Sequence, residues 1–151
     1  MHNLSLIIPV YNEAQNLPIL YDSIQKTLKS IQCIWEIIFI DDGSRDNSFE
    51  VLKALVEKDP EHVRVVAFRR NFGQTAAITA GIDHAHGEII VLLDADLQND
   101  PADIPMLLAK LDEGYDLVSG WRKDRKDNRL TRTLPSNIAN GIISWVTGVH
   151  L

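Results

Sequence analysis

The strongest constraint on the fold is an alternation of short apolar runs with longer amphipathic segments. The runs are rich in β-branched residues and lack polar alternation, which is typical of strands buried on both faces of a parallel sheet. They span residues 4–10, 34–40, 63–68, 88–93 and 116–118. Because strands separated by helices imply right-handed crossovers, we expect an α/β fold: a Rossmann-like, mainly parallel sheet with helices on both faces.

Residues that start helices occur between these runs. Asn16 predicts the start of a first helix, and Ser44 or Asp46 predicts the start of a second. A third helix is expected over residues 74–84, and Pro101 favours the start of a fourth. The predicted order is therefore βαβαβαβαβ.

Composition narrows the class of protein. A length of 151 residues predicts one domain over residues 1–151. The net charge of -6, from 15 Lys and Arg against 21 Asp and Glu, argues against a nucleic-acid partner. The single cysteine, Cys33, excludes an internal disulfide and a cysteine-rich zinc site. No run of about 18 apolar residues and no secretory signal is present, which favours the cytoplasm.

Polar residues follow each predicted strand. In open parallel sheets ligands bind beyond the carboxyl ends of the strands, so these residues are the first candidates for a site. They include Tyr11, Glu13, Asp41, Asp94 and Arg122. Nearly all candidate functional residues therefore fall on one edge of the sheet.

Asp94 and Asp96 lie one residue apart where an apolar run ends, and Gln98 follows them. Two carboxylates this close repel each other, and a hard divalent cation with oxygen ligands offsets that repulsion. The same acids could instead cap a helix or lie in a solvated loop. Their position after a buried strand favours a metal site for Mg or Mn.

A second acidic pair, Asp41 and Asp42, is followed by Gly43 and Ser44. These residue types suit a turn and a helix cap, which is the role expected for Ser44. Asp41, at the exit of a strand, could instead accept hydrogen bonds from a nucleobase or a ribose. Spacing alone leaves both roles open for Asp41.

Residues 119–135 carry six cations and two anions, a net charge of +4 in an acidic chain. The cations are Arg122, Lys123, Arg125, Lys126, Arg129 and Arg132. Such a run could be a solvated loop. Beside a predicted metal edge it could also attract phosphate, and the planar arginine side chain is well suited to bind it.

Five motifs in order resemble those of family 2 glycosyltransferases with the GT-A fold, and in particular the polyprenyl-phosphate branch. That branch includes dolichol-phosphate mannose synthases and bacterial undecaprenyl-phosphate sugar transferases. The motifs are IPVYNE at 8–13, DDGS at 41–44, NFG at 71–73, DADLQ at 94–98 and GWR at 120–122. The resemblance covers essentially the whole chain.

The resemblance implies a site for a UDP- or GDP-linked sugar. The residues that would hold the base and ribose are Pro9, Tyr11, Glu13 and Asp41. Asp94, Asp96 and Gln98 would hold Mg or Mn on the diphosphate, with Asp94 and Asp96 counted among the catalytic residues.

The resemblance also implies a polyprenyl phosphate acceptor, whose phosphate would be bound by Arg122, Arg132 and Ser136, with Arg122 also catalytic. An ionised phosphate needs no strong general base, so none is assigned, and attack opposite the leaving group inverts the anomeric carbon. Family members continue beyond residue 151 into the rest of the catalytic domain and membrane helices. The chain is thus expected to be the donor-binding part of an enzyme at the cytoplasmic side of a membrane.

Three other functions stay open at this point. A family 2 enzyme could use a sugar hydroxyl as acceptor, or the chain could be a non-catalytic nucleotide-binding fragment. A haloacid-dehalogenase-type phosphatase would use Asp94 as nucleophile and Asp96 as acid and base. The residues that follow, Leu97 and Gln98, are not the usual continuation of that phosphatase motif.

Overall fold

A computed structural model describes residues 2–31 and 33–120, in which the chain up to Leu117 forms one compact unit. Its strands are β1 (His2–Val10), β2 (Cys33–Asp41), β3 (Val63–Ala67) and β4 (Ile89–Leu92). Its helices are α1 (Leu17–Lys29), α2 (Ser48–Lys58), α3 (Gln74–Asp83) and α4 (Ile104–Leu111), the last preceded by a 3-10 turn at Pro101–Asp103. The single domain expected over residues 1–151 stays a prediction.

The four described strands form one parallel sheet in the order β3-β2-β1-β4. The chain moves outward from β1 through β2 to β3 and then returns to place β4 on the other side of β1. The direction of strand addition therefore reverses between β1 and β4. Such a reversal opens a crevice at the carboxyl ends of the two strands, where ligands of open α/β sheets bind.

Alternate side chains of β1 pack against helices on opposite faces of the sheet. Leu4, Leu6 and Ile8 are fully buried in a cluster that includes side chains of α1, α2 and α4. Ile7 belongs to a smaller cluster with Ala77 of α3. The prediction of a parallel sheet with helices on both faces is confirmed.

Two local predictions are wrong. Residues 116–118 form no strand, and Leu117 is 85% exposed; a run of three residues is at the short limit for a strand and gains little from pairing. The second helix starts at neither Ser44 nor Asp46, because its N-cap is Asn47. The carboxylate of Asp46 instead accepts hydrogen bonds from the backbone N–H and the hydroxyl of Ser48, the first residue of the helix.

A buried polar cluster, the Glu36 network, joins β1, β2 and the entry to β4 near their amino ends. The Ser5 hydroxyl donates to Oε1 of Glu36 at 2.6 Å, and the backbone N–H of His86 donates to the same oxygen at 2.7 Å. The Gly87 N–H in turn donates to the Ser5 hydroxyl oxygen at 2.7 Å. A Cβ at Gly87 would lie 2.6 Å from the backbone of Leu4, so this close approach requires glycine.

Candidate active site

A cleft of about 400 Å³ lies at the carboxyl ends of β1 and β4, where the strand order reverses. The predicted site residues that line it are Pro9, Tyr11, Glu13, Asp94 and Asp96. The structure thus brings together two sets of residues that are more than 80 positions apart in sequence. Their shared location follows from the topology of the sheet.

The loop after β1 is tied to the loop after β2. Asn12 adopts a left-handed conformation with φ of 60°, which Asn tolerates better than most residues. Its side-chain oxygen accepts a hydrogen bond from the backbone N–H of Arg45, and the backbone N–H of Glu13 donates to the Ser48 hydroxyl. These bonds fix the backbone on both sides of Asn12, so Tyr11 and Glu13 are presented to the cleft from a defined turn.

Asp41 and Asp42 have different roles at the end of β2. Oδ1 of Asp41 accepts a hydrogen bond from the backbone N–H of Ser44, which closes the turn. Among the described residues Asp42 lines the cleft and Asp41 does not. Both acids are only 4% exposed. A contact of Asp41 with a base or ribose stays a prediction.

Asp42 fixes the turn that leads into α3. Its two carboxylate oxygens accept hydrogen bonds from the backbone N–H groups of Phe72 and Gly73, at 2.7 and 2.9 Å. Gly73 has φ of 95° and ψ of 158°, a backbone conformation open essentially to glycine alone. The helix then begins at Gln74, whose side-chain amide donates to Oδ1 of Asp94 at 3.1 Å.

The segment after β4 alternates between the core and the cleft. Leu93 and Ala95 are buried in the larger core cluster, so Asp94 and Asp96 emerge on the exposed side. The next residue, Leu97, has φ of 61°, a strained conformation for a bulky side chain. This alternation anchors the carboxylates while exposing them.

In the described part of the chain, Asp94 and Asp96 each accept a hydrogen bond on one carboxylate oxygen. Oδ1 of Asp94 accepts from Gln74, and Oδ1 of Asp96 accepts from the backbone N–H of Gln98 at 3.0 Å. Within residues 2–31 and 33–120, no donor is hydrogen-bonded to the second oxygen of either acid. Both side chains are exposed, and both residues line the cleft.

The donor set fits Mg or Mn held jointly with a ligand. No group of three or more His, Cys, Asp or Glu in the described part of the chain could hold a metal alone. Mg usually takes one or two carboxylates from the protein and completes its shell with phosphate oxygens and water. Asp94 and Asp96 match that arrangement. A ligand role for the side chain of Gln98 stays a prediction.

Sequence reasoning missed two residues of this site, Asp42 and Gln74. The alternation of side chains along β2 indicated the position of Asp42. Ile38 and Ile40 pack against α3, and Asp42, two residues further on, is expected on the same side of the sheet. Gln74 directly follows Gly73 in a loop near the carboxyl ends of the strands, where the sequence already predicted a site, and it could have been noted for that reason. The predicted acceptor residues Arg122, Arg132 and Ser136 lie outside the described residues.

A family model for glycosyl transferase family 2 matches residues 5–149. The chain belongs to glycosyl transferase family 2. The family membership that the five motifs predicted is therefore confirmed. Membership also favours the glycosyltransferase interpretation over the phosphatase.

Two curated relatives of this family 2 chain are named for polyprenyl phosphates. It is 44% identical to the dodecaprenyl-phosphate galacturonate synthase of Rhizobium johnstonii over 149 residues, which is 98% of this chain and 44% of the relative. It is 43% identical to the undecaprenyl-phosphate 4-deoxy-4-formamido-L-arabinose transferase of Shewanella sediminis, again over 98% of this chain and 44% of the relative. The chain spans less than half the length of these proteins. None of its described helices is both long and apolar enough to cross a bilayer.

Solved structures of glycosyltransferases share the fold of the family 2 chain. A mannosyltransferase from Pyrobaculum calidifontis, in complex with GDP-Man and Mn²⁺, is 28% identical with a TM-score of 0.54, over 62% of this chain and 27% of that one. The 1–349 portion of TarS from S. aureus is 23% identical with a TM-score of 0.60, over 74% of this chain and 32% of that one. The fold is GT-A, as expected.

Proposed function

We propose that this family 2 domain serves the transfer of a sugar from a nucleotide diphosphate sugar to a polyprenyl phosphate, with inversion at the anomeric carbon. The observation that carries the proposal is the cleft between β1 and β4, where Tyr11 and Glu13 face the same space as Asp94 and Asp96. The names of the two relatives given above, both of them polyprenyl-phosphate sugar enzymes, support the acceptor class.

The donor occupies the cleft in this proposal. Pro9, Tyr11, Glu13 and Asp41 contact the base and ribose of a UDP- or GDP-linked sugar. Tyr11 is well suited to this role because its exposed ring offers an apolar face beside a polar hydroxyl. The base lies over the end of β1, and the diphosphate extends toward the end of β4.

The diphosphate would be bound through a divalent cation to Asp94 and Asp96, which we call the cleft carboxylates. Asp94 and Asp96 would hold Mg or Mn through carboxylate oxygens that face the cleft, and Gln98 would add a further oxygen ligand. When bound, the cation would neutralise the diphosphate and stabilise the leaving nucleoside diphosphate. The Mn²⁺ in the mannosyltransferase complex of Pyrobaculum calidifontis supports this part of the proposal.

The acceptor phosphate is bound by the basic segment. Arg122, Arg132 and Ser136 donate hydrogen bonds to it, which offsets the repulsion between two anions that must approach each other. A phosphate is already ionised near neutral pH, so the protein aligns the reactants and needs no strong base. The lipid tail places the active protein at a membrane surface on the cytoplasmic side.

The acceptor assignment is tested by alanine substitution at Arg122 and Arg132 in a chain of the relatives' full length. A charge-assisted hydrogen bond contributes about 1.5 to 3 kcal/mol, so each loss slows transfer to a polyprenyl phosphate by roughly one to two orders of magnitude. Affinity for the nucleotide sugar stays unchanged. Arg132→Lys tests geometry, since it keeps the charge and loses the two-pronged donor. Wild-type transfer rates in both alanine variants would show that Arg122 and Arg132 do not bind the acceptor phosphate and belong to a solvated loop.

A further inference from the structure

The side chain of Gln74 connects the start of α3 to the carboxyl end of β4. Its Nε2 donates a hydrogen bond to Oδ1 of Asp94 at 3.1 Å. Both residues line the cleft and both side chains are exposed. An exposed hydrogen bond exchanges with water and contributes little to folding. Its main consequence is therefore the orientation that it gives to Asp94.

Gln74 itself is held in place from the end of β2. Both oxygens of Asp42 are occupied by the backbone N–H groups of Phe72 and Gly73, the two residues before the helix. Because Asp42 is buried, this double contact cannot be replaced readily by water. The first residue of α3 thus has a fixed position relative to β2, and its side chain reaches across to β4.

We propose that Gln74 is a positioning residue that holds Oδ1 of Asp94, so that Oδ2 stays available to the divalent cation and the donor diphosphate. The proposal rests on the proposed function, because it assigns Asp94 to the cation. A carboxylate ligand works best when a second residue fixes its orientation. Without Gln74, the side chain of Asp94 is free to rotate. The conformational entropy that it loses when a ligand binds then lowers the affinity.

The test is isothermal calorimetry of UDP and GDP binding to the 151-residue chain, with and without Mn²⁺. Gln74→Met removes the donor and nearly keeps the length of the side chain. We expect nucleoside diphosphate affinity to fall about tenfold in Mn²⁺ and to stay unchanged without it. Gln74→Glu also removes the donor and places a further negative charge beside Asp94, so nucleoside diphosphate affinity should fall when Mn²⁺ is absent.

Thr75→Ala is the matched control. Thr75 lies on the same exposed first turn of α3, and only its backbone oxygen takes part in a described bond, from the Thr79 hydroxyl. This variant should bind as the wild type does. If Gln74→Met also binds as the wild type does in Mn²⁺, or loses affinity equally with and without Mn²⁺, the positioning role is wrong.

The wild type separates failure of this proposal from failure of the proposed function. Binding by the wild type that does not respond to Mn²⁺ overturns the metal assignment and the role of Gln74 with it. Binding that responds to Mn²⁺ in the wild type and equally in Gln74→Met overturns only the role of Gln74.

A double-mutant cycle tests the step from Asp42 to Gln74. Asp42→Asn replaces one of the two acceptor oxygens by an amide that repels a backbone N–H. If Asp42 acts through Gln74, the double variant Asp42→Asn with Gln74→Met loses no more Mn²⁺-dependent affinity than the worse single variant. Additive losses would show that Asp42 contributes to the cleft by another route.

Discussion

The Glu36 network and the cleft carboxylates show two opposite uses of acidic residues in one sheet. Near the amino ends of the strands, Glu36 is 8% exposed, accepts bonds from Ser5 and His86, and has Arg64 3.4 Å from its second oxygen. At the carboxyl ends, Asp94 and Asp96 are exposed, and each accepts one described hydrogen bond. Glu36 is satisfied by the protein, whereas we propose that Asp94 and Asp96 serve a ligand.

The difference follows from the cost of burying charge. A buried carboxylate is tolerated only when hydrogen bonds and a nearby cation replace its water, and removal of such a group leaves its donors unpaired. Exposed acids keep their water and add little to stability. We therefore expect substitutions in the Glu36 network to change folding and substitutions of the cleft carboxylates to change binding.

The largest expected effect is on stability, from Glu36→Ala. The change leaves the Ser5 hydroxyl and the His86 N–H without their acceptor in a buried site, at a cost of about 3 kcal/mol. Urea denaturation measures the loss, and Glu57→Ala, an exposed acid on α2, is the control. A change below about 0.5 kcal/mol, as for an ordinary surface site, would mean that the network does not stabilise the fold.

A smaller effect is expected in acid. Desolvation raises the pKa of Glu36, but the bonds from Ser5 and His86 and the charge of Arg64 together lower it below its ordinary value. A lowered pKa in the folded state means stability that is present above the unfolded pKa, about 4.5, and is lost as the pH falls through the folded value. The unfolding free energy of the wild type should therefore fall more steeply below about pH 4.5 than that of Glu36→Gln. If the unfolding free energies of the wild type and Glu36→Gln fall in parallel with pH, Glu36 does not contribute to the loss of stability in acid.

The smallest effect is expected at Leu97, whose left-handed backbone costs about 1 to 2 kcal/mol. Leu97→Gly relieves this strain and adds chain entropy to the unfolded state, so we expect stability to be unchanged or raised by up to about 1 kcal/mol. Mn²⁺-dependent affinity should fall, because Asp96 and Gln98 flank the loosened residue. Met106→Gly, at an exposed helical position, should instead destabilise by about 1 kcal/mol. Similar destabilisation by both changes would argue against strain at Leu97.

The sequence predicted the parts of the molecule that depend on periodicity. Uninterrupted apolar runs predicted β1 to β4. The loops after β1 and β4 were predicted to carry the site because ligands of open parallel sheets bind beyond the carboxyl ends of the strands. The prediction of a strand over residues 116–118 was wrong. So short a run forms a strand only when a neighbouring strand pairs with it, and its own residues do not specify that partner. The contacts of Asp42 and Gln74 were missed because they join residues 20 to 31 positions apart whose approach depends on strand order.

The most direct test of the central claim is calorimetric binding of UDP and GDP to Asp96→Ala, with and without Mn²⁺. Asp83→Ala also removes one negative charge, from the far end of α3, and is the control. We predict that Asp96→Ala loses at least about tenfold in affinity only when Mn²⁺ is present, while Asp83→Ala binds as the wild type does and both stay folded. Wild-type binding by Asp96→Ala in Mn²⁺, or an equal loss without the metal, would contradict the assignment of the cleft carboxylates to a metal-bound nucleotide donor.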